Sequence, residues 1–365
     1  MGNYRDMLRG CLLGLAVGDA MGYTVDRKSL DEIREAYGPN GLLGYDLVNG
    51  YAEITSYTQL TAFTVNGILV GLTQGQMRGA MAPLVRYIAL AVKEWGRSQR
   101  YCQPERNYCW LSTVSEMKRR RCMDNWMLSL LEREKLGTME EPISKSAHPA
   151  AVTEAVAVAL LAGKLNLSQE ECNRLGAEAV ALTHGDPEAF LSAAALVNAL
   201  CLLLSGKELR PEEVARETLE AIQFQFGREY CQTAKLWELF QLAITLSQSQ
   251  KVSQMEAMEQ LGCETAGEVL AGALYACMTC HGDFDTAMIT AVNHSGRSAA
   301  VGAITGALLG AYLGQEALPE FYLECLEPVQ CLLELAEDMI HGCPMDAGSN
   351  LFDGDWDRKY RHGGL

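Results

Sequence analysis

Arg9-Gly-Cys-Leu-Leu-Gly-Leu-Ala-Val-Gly-Asp-Ala-Met-Gly22 has glycine at 10, 14, 18 and 22, and the same spacing returns at Gly302, Gly306, Gly310 and Gly314. Residues four apart lie on one face of a helix, so each set clears side chains from a single stripe. A glycine in a helix interior costs about 0.5–1 kcal/mol relative to alanine, and four in register need a structural reason. Close packing of two helix backbones supplies one. The ladders lie near opposite ends of the chain, so the two ends are expected to meet at the centre of the fold.

Working outward, nearly every apolar stretch repeats with the helical period and few alternate as strands do. Ser29-Leu-Asp-Glu32 and Ser168-Gln-Glu-Glu171 are capping boxes, and Pro187 and Pro211 stand at first-turn positions. Helices are predicted near 4–23, 29–37, 58–74, 79–96, 124–135, 149–164, 168–182, 187–205, 211–224, 227–248, 264–281, 284–292, 298–314 and 318–339. No Pro/Gly/Ser-rich linker separates them. The fold class is therefore all-α, a single multi-helix domain over 1–342 with a tail, 343–365, packed on it. Residues 97–123 and the tail are the least regular parts.

Composition excludes several functions. Of 365 residues, 48% are hydrophobic and 21% charged, as in an ordinary globular protein, and the net charge of −16 argues against a nucleic-acid partner. The basic run Lys118–Arg121 reads as a solvated loop or helix end. No stretch has the uninterrupted apolar length of a membrane span, and the short run Cys11–Val17, broken by Asp19, reads as core rather than as a secretion signal. Met1-Gly2 is followed by Asp6 where a myristoylation signal wants Ser or Thr. A cytoplasmic location without membrane partners is the expectation. Thirteen scattered cysteines then read as reduced thiols. Cys277-Met-Thr-Cys280-His281 spells a haem-attachment pattern, but it falls inside a helical pattern and is assigned to the core. Asp353, Asp355 and Asp357 imitate the start of a calcium loop. Arg358 stands in place of the turn glycine and Gly364 in place of the closing glutamate, which rules calcium out there.

Three blocks, in order, resemble the ADP-ribosylglycohydrolase family: Arg9–Gly22, Ala181-Leu-Thr-His-Gly-Asp-Pro-Glu-Ala189, and Ala291-Val-Asn-His-Ser-Gly296 followed by Ala303-Ile-Thr-Gly-Ala-Leu-Leu-Gly310. The resemblance spans roughly 8–340 and implies an all-α fold with two magnesium ions in a cleft, cleaving the N- or O-glycosidic bond of ADP-ribose. It also implies a T-D-D triplet at the start of an early helix and a D-x-D-[ST] motif at the start of a late one as metal ligands. Here the first falls on Thr55-Ser56-Tyr57 and the second on Arg297-Ser298-Ala299-Ala300. Of the six ligand positions, Thr55, Ser56, Tyr57, Arg297, Ala299 and Ala300, only Thr55 keeps the family residue; all four aspartates are replaced.

Hydroxyls alone hold magnesium poorly, because the ion yields its water only to anionic oxygen. A guanidinium at the ion's position repels it. The family's glycine-rich phosphate loop corresponds to Ser144–Glu154, where the glycines are missing and Glu154 replaces an arginine. Pro149 also lacks the N–H that an anion-binding loop offers. No metal cofactor is expected.

Asp26 matches the family's acid near the reactive ribose and is the one vestigial catalytic candidate, with structural capping as its bland alternative. Asp26, Thr55, Tyr57, His184, His294, Ser295, Gly296, Arg297 and Ser298 are the candidate ligand-binding residues. Arg297 is either a surface charge or a replacement for the lost metal charge, paired with Asp26 or a bound diphosphate. The leading reading is a pseudoenzyme that binds ADP-ribose, a related nucleotide or a protein partner such as an ADP-ribosylated protein. The alternatives are an active glycohydrolase built on Asp26 with Glu53 or Glu154, and a helical scaffold with a closed cleft. Oligomeric state is left open.

Overall fold

The structure, a computed structural model, describes residues 4–100, 107–121, 125–346, 348 and 351–364. The described residues contain seventeen α-helices and no strand. The chain begins with α1 (Tyr4–Tyr23), α2 (Leu30–Tyr37), α3 (Ser56–Arg78), α4 (Leu84–Ser98) and α5 (Asn125–Leu131). It continues through α6 (Glu154–Leu165), α7 (Gln169–Ala181), α8 (Pro187–Leu204), α9 (Pro211–Phe226), α10 (Thr233–Ser247) and α11 (Gln254–Leu261). The last third holds α12 (Ala266–Thr279), α13 (Phe284–Val292), α14 (Ser298–Leu313), α15 (Glu320–Cys325), α16 (Val329–His341) and α17 (Gly354–Arg361).

The glycine ladders meet as the spacing requires. Helices α1 and α14 run antiparallel, with Gly10 against Gly310, Gly14 against Gly306, and Gly18 against Gly302. A methyl group on any of these would overlap the partner's carbonyl oxygen. The register leaves Gly22 against Ser298 rather than a fourth glycine. Gly314 lies beyond α14, at φ 85°, where it ends the helix against the Asp6 carboxylate. Around this pair, α12, α13 and α16 form the flanks, α8 packs with α6, α7 and α9, and α3 packs with α4 and α6. Helix α8 is long and apolar enough to cross a membrane, but 78% of it is buried within the fold.

Both predicted capping boxes form, as do the proline starts of α8 and α9. Several boundaries differ: α10 starts at Thr233 rather than 227, α6 starts at Glu154 after a short turn at Pro149–Ala151 rather than at 149, and α5 ends at Leu131 rather than 135. Helix α3 runs on to Arg78, where Gly79 closes it in the left-handed conformation, and α4 begins only after Pro83. The segment predicted as one helix over 318–339 breaks between α15 and α16, where Pro328 cannot supply an N–H. Helices α11 and α17 were not predicted at all. Each is short, and their caps, Ser253 with Glu256 and Asp353 bonding Trp356 N–H, are the only local signals.

The tail packs on α3, with Trp356 Nε1 donating to Thr73 Oγ1 at 3.0 Å and the Tyr360 hydroxyl donating to Asp338 at 2.6 Å. Asp357 pairs with Arg361 and His362. The eleven described cysteines are free, and Cys277 and Cys280 lie in the core. Cys102, Cys122, part of the 97–123 stretch, the first residue of the predicted 124–135 helix and the Met1-Gly2 terminus lie outside the described residues.

Candidate functional site

The last turn of α1 passes between the first turns of α3 and α14, and a carboxylate from this first segment meets each helix N-terminus. Asp19 is fully buried. Its Oδ2 accepts from the Thr55 N–H at 2.9 Å, the Thr58 N–H at 3.1 Å and the Thr58 hydroxyl at 2.5 Å, while Oδ1 accepts from the Thr55 hydroxyl at 2.6 Å. Unpaired N–H groups and the helix dipole make this a favourable place for a negative charge. Burial nevertheless outweighs the four hydrogen bonds and raises the carboxyl from its ordinary 3.8 to about 6. At neutral pH Asp19 is an ionised internal cap.

Asp26 does the same for α14, accepting from the Ala299 N–H at 3.1 Å while its other oxygen lies 3.7 Å from Arg27 Nε. Asp19 entered the sequence reading only as an interruption of an apolar run. A lone acid inside a glycine-striped helix was the available signal for its role.

The six ligand positions come from these same first turns and are closed to solvent. Thr55, Ser56, Tyr57, Ala299 and Ala300 are each no more than 2% exposed, and Arg297 alone reaches the surface. These residues do not fit a pair of magnesium ions. The Thr55 hydroxyl already donates to Asp19, Ala299 and Ala300 offer methyl groups, and Arg297 brings a cation. Among the described residues no group of three or more His, Cys, Asp or Glu is placed to hold a metal. The Tyr57 ring is buried, and its carbonyl accepts from the hydroxyls of Thr61 at 3.0 Å and Thr153 at 3.1 Å, tying α3 to the start of α6.

Arg297 extends to Glu264, with Nε 2.9 Å from Oε2, rather than to Asp26. Its Nη1 is buried and has no hydrogen-bond partner. The preceding turn is held at every residue. Asn293 bonds the Leu42 backbone in both directions, Ser295 Oγ accepts from the Leu30 N–H at 2.9 Å, and Arg297 N–H donates to the Cys263 carbonyl at 3.0 Å. Gly296 sits at φ 131°, and its missing side chain leaves room for the Cys263 carbonyl. His294 lies 3.0 Å from the Ser295 and Ala291 carbonyls through its two ring nitrogens, and burial holds its pKa below the ordinary value despite them. Ser298 is fully buried, with its hydroxyl directed at the His294 carbonyl.

His184 lies elsewhere, edge-on to Trp126 with ring centres 5.1 Å apart. Burial lowers its pKa to about 3, so it is a neutral core imidazole. The 144–154 loop is packed rather than open: Ser144 Oγ donates to the Thr183 carbonyl at 2.7 Å, and the Ala147 carbonyl accepts from the Ala266 N–H at 2.9 Å. Glu154 is buried in the first turn of α6 with neither carboxyl oxygen partnered, and burial pushes its pKa well up. Glu53 is bound to Arg121 at 2.8 Å. Glu53 is thus already paired with a cation, and Glu154 is closed to solvent. The run Lys118–Arg121 is not simply solvated either, since Arg121 is buried between Glu53 and Glu327 and Arg119 also pairs with Glu327.

The family model described as ADP-ribosylglycohydrolase matches residues 1–348, and the chain belongs to that family. A solved structure described as "ADP-ribosylglycohydrolase-related protein complex" shares the fold with a TM-score of 0.56 at 19% identity, over 93% of this chain and 98% of that one. No curated protein matches significantly.

Proposed function

We propose that this chain is a pseudoenzyme of the ADP-ribosylglycohydrolase family, a helical scaffold whose former metal cleft is filled by its own side chains. One observation carries the reading: the two helix N-termini that present the family's ligand positions are capped internally by Asp19 and Asp26, and five of the six positions are buried. Glycosidic cleavage needs a positioned acid and a base or nucleophile with room for the sugar between them. The Asp26 carboxylate is instead engaged by the Ala299 N–H at the start of α14. The glycine ladders, in which any added side chain is costly, persist while the four aspartates do not. That contrast supports retention of the fold for a role other than hydrolysis.

The direct test is incubation of the purified chain with ADP-ribosylated arginine and serine peptides in excess magnesium, reading free ADP-ribose. No release above a protein-free control is expected. Release that depends on magnesium and is lost in Asp26→Asn would refute the proposal.

A second reading, metal-free binding of ADP-ribose, is favoured by the unpartnered Nη1 of Arg297 beside the α14 N-terminus. A diphosphate oxygen reaching Nη1 would give that guanidinium the acceptor it lacks. Binding of ADP-ribose in EDTA that disappears in Arg297→Ala would establish it.

A further inference from the structure

Charge is unevenly distributed along the chain. Between Ile54 and Arg121 there are 10 Lys or Arg against 3 Asp or Glu, a balance of +7 in a chain whose remainder is −23. The structure gathers part of this excess on one face. Arg86, Lys93 and Arg97 lie at helical spacing along α4, and Arg78 ends the neighbouring α3. Glu94, the acid within α4, is buried. It accepts from the Tyr108 N–H at 2.6 Å and the Cys109 N–H at 3.1 Å, so it fastens the 108–112 segment to α4 and adds no negative charge to the surface.

Between α3, α4 and that segment lies a groove of about 420 Å³. Its floor is apolar, and Gln74, Arg78, Arg86, Tyr87, Leu90 and Tyr108 stand around it. Neither the Arg78 nor the Arg86 side chain has a hydrogen bond or ion pair among the described residues, although the rest of the molecule is rich in carboxylates. Leu90 is 40% exposed, Tyr108 45% and, beyond the groove, Met81 52%. The groove starts at Gly67, roughly 16 Å along α3 from the closed site at its N-terminus, so the two regions are separate.

From this geometry we infer that the α3–α4 groove is a docking site for an acidic peptide segment of a protein partner, with one bulky apolar side chain in the groove and flanking carboxylates on Arg78 and Arg86. Charge complementarity selects the occupant. Two unpaired guanidiniums bind carboxylates bidentately, and exposed apolar rim residues extend the contact past what a small ligand covers. A nucleic acid would need a continuous basic track, whereas this basic face is short. The inference is independent of the state of the old cleft.

The test is selection of short random peptides displayed on phage against the full chain, followed by fluorescence anisotropy with the synthesised winners. Enrichment of acidic peptides carrying a leucine or aromatic residue is expected, with binding that weakens as salt rises. The double variant Arg78→Glu/Arg86→Glu and, separately, Leu90→Asp should each weaken binding by about tenfold or more, while Arg228→Glu, on another surface, should not. All of these positions are exposed, and melting curves check that the variants fold. Enrichment of no acidic peptide, or binding indifferent to both groove variants, overturns the proposal. Binding of a single-stranded oligonucleotide that the double variant abolishes, without acidic-peptide binding, would replace the peptide by nucleic acid.

Discussion

Asp19→Asn is expected to stabilise the protein at neutral pH, the reverse of what removing a buried, four-fold hydrogen-bonded carboxylate usually does. The asparagine carbonyl can take the place of Oδ2, still accepting from the Thr55 and Thr58 amides and the Thr58 hydroxyl, while its NH₂ donates to Thr55 Oγ1. Three of the four hydrogen bonds survive, the Thr55 hydroxyl contact reverses its direction, and the desolvated charge goes. Burial raises the folded pKa of Asp19 from 3.8 to about 6, so the native state holds a proton that the unfolded chain has released between those values. The stability this confers is fully present below about pH 4 and is lost as pH rises through 6. At 1.36 kcal/mol per pH unit the loss is about 3 kcal/mol.

Asp19→Asn does not titrate, so its stability relative to the parent should be near zero at about pH 4 and should rise by about 2–3 kcal/mol by about pH 7.5. Asp19→Ala, which leaves two buried amides without acceptors, should cost about 2–6 kcal/mol at the acid end. Urea titrations of the three proteins across this range read the differences directly. A flat difference between Asp19→Asn and the parent, or a destabilised Asp19→Asn at neutral pH, would mean that the α3 N-terminus is open to water or an ion, and the closed-cleft reasoning would fail with it.

Other consequences are equally accessible. Gly306→Ala should destabilise by about 2 kcal/mol or more in urea unfolding, because the α1 carbonyl it would strike is backbone and cannot turn aside. His184→Gln should flatten acid unfolding: a native pKa of about 3 means that wild-type stability falls as pH drops below 6.5, by about 1.4 kcal/mol per unit. Glu154→Met should raise stability by about 1–3 kcal/mol, since it replaces an unpartnered carboxyl with a side chain of similar volume. Because burial raises the Glu154 pKa, that gain should grow with pH.

The central helix pair was legible in the sequence because steric exclusion leaves a mark: only glycine tolerates such an approach, so its spacing recorded both the partners and their contact. Metal chemistry restricts residue type in the same way, which is why Ser56, Tyr57, Arg297 and Ala299 stand out at the positions where the family resemblance implies aspartates. Electrostatic pairing left no comparable mark. Arg297 turned to Glu264 rather than Asp26, and Arg121 went into the interior, because long side chains choose among several carboxylates by three-dimensional proximity. The role of Asp19 was missed because a buried acid in a helix has the same appearance in one dimension whether it caps a neighbour or marks a break. Length does not explain why α11 and α17 escaped detection, since α2 has the same eight residues: the Ser253–Glu256 capping box of α11 went unread, and α17 offers only the single Asp353 cap.

The most direct measurement is the melting temperature with saturating ADP-ribose, taken in EDTA and again in excess magnesium. A ligand at a hundred times its Kd adds about 2.7 kcal/mol, a shift of several degrees that is easily resolved. With Tyr57 and Arg297 standing where the resemblance implies aspartates, the EDTA and magnesium curves should coincide. A shift that appears only with magnesium would show a working metal site and contradict the pseudoenzyme account.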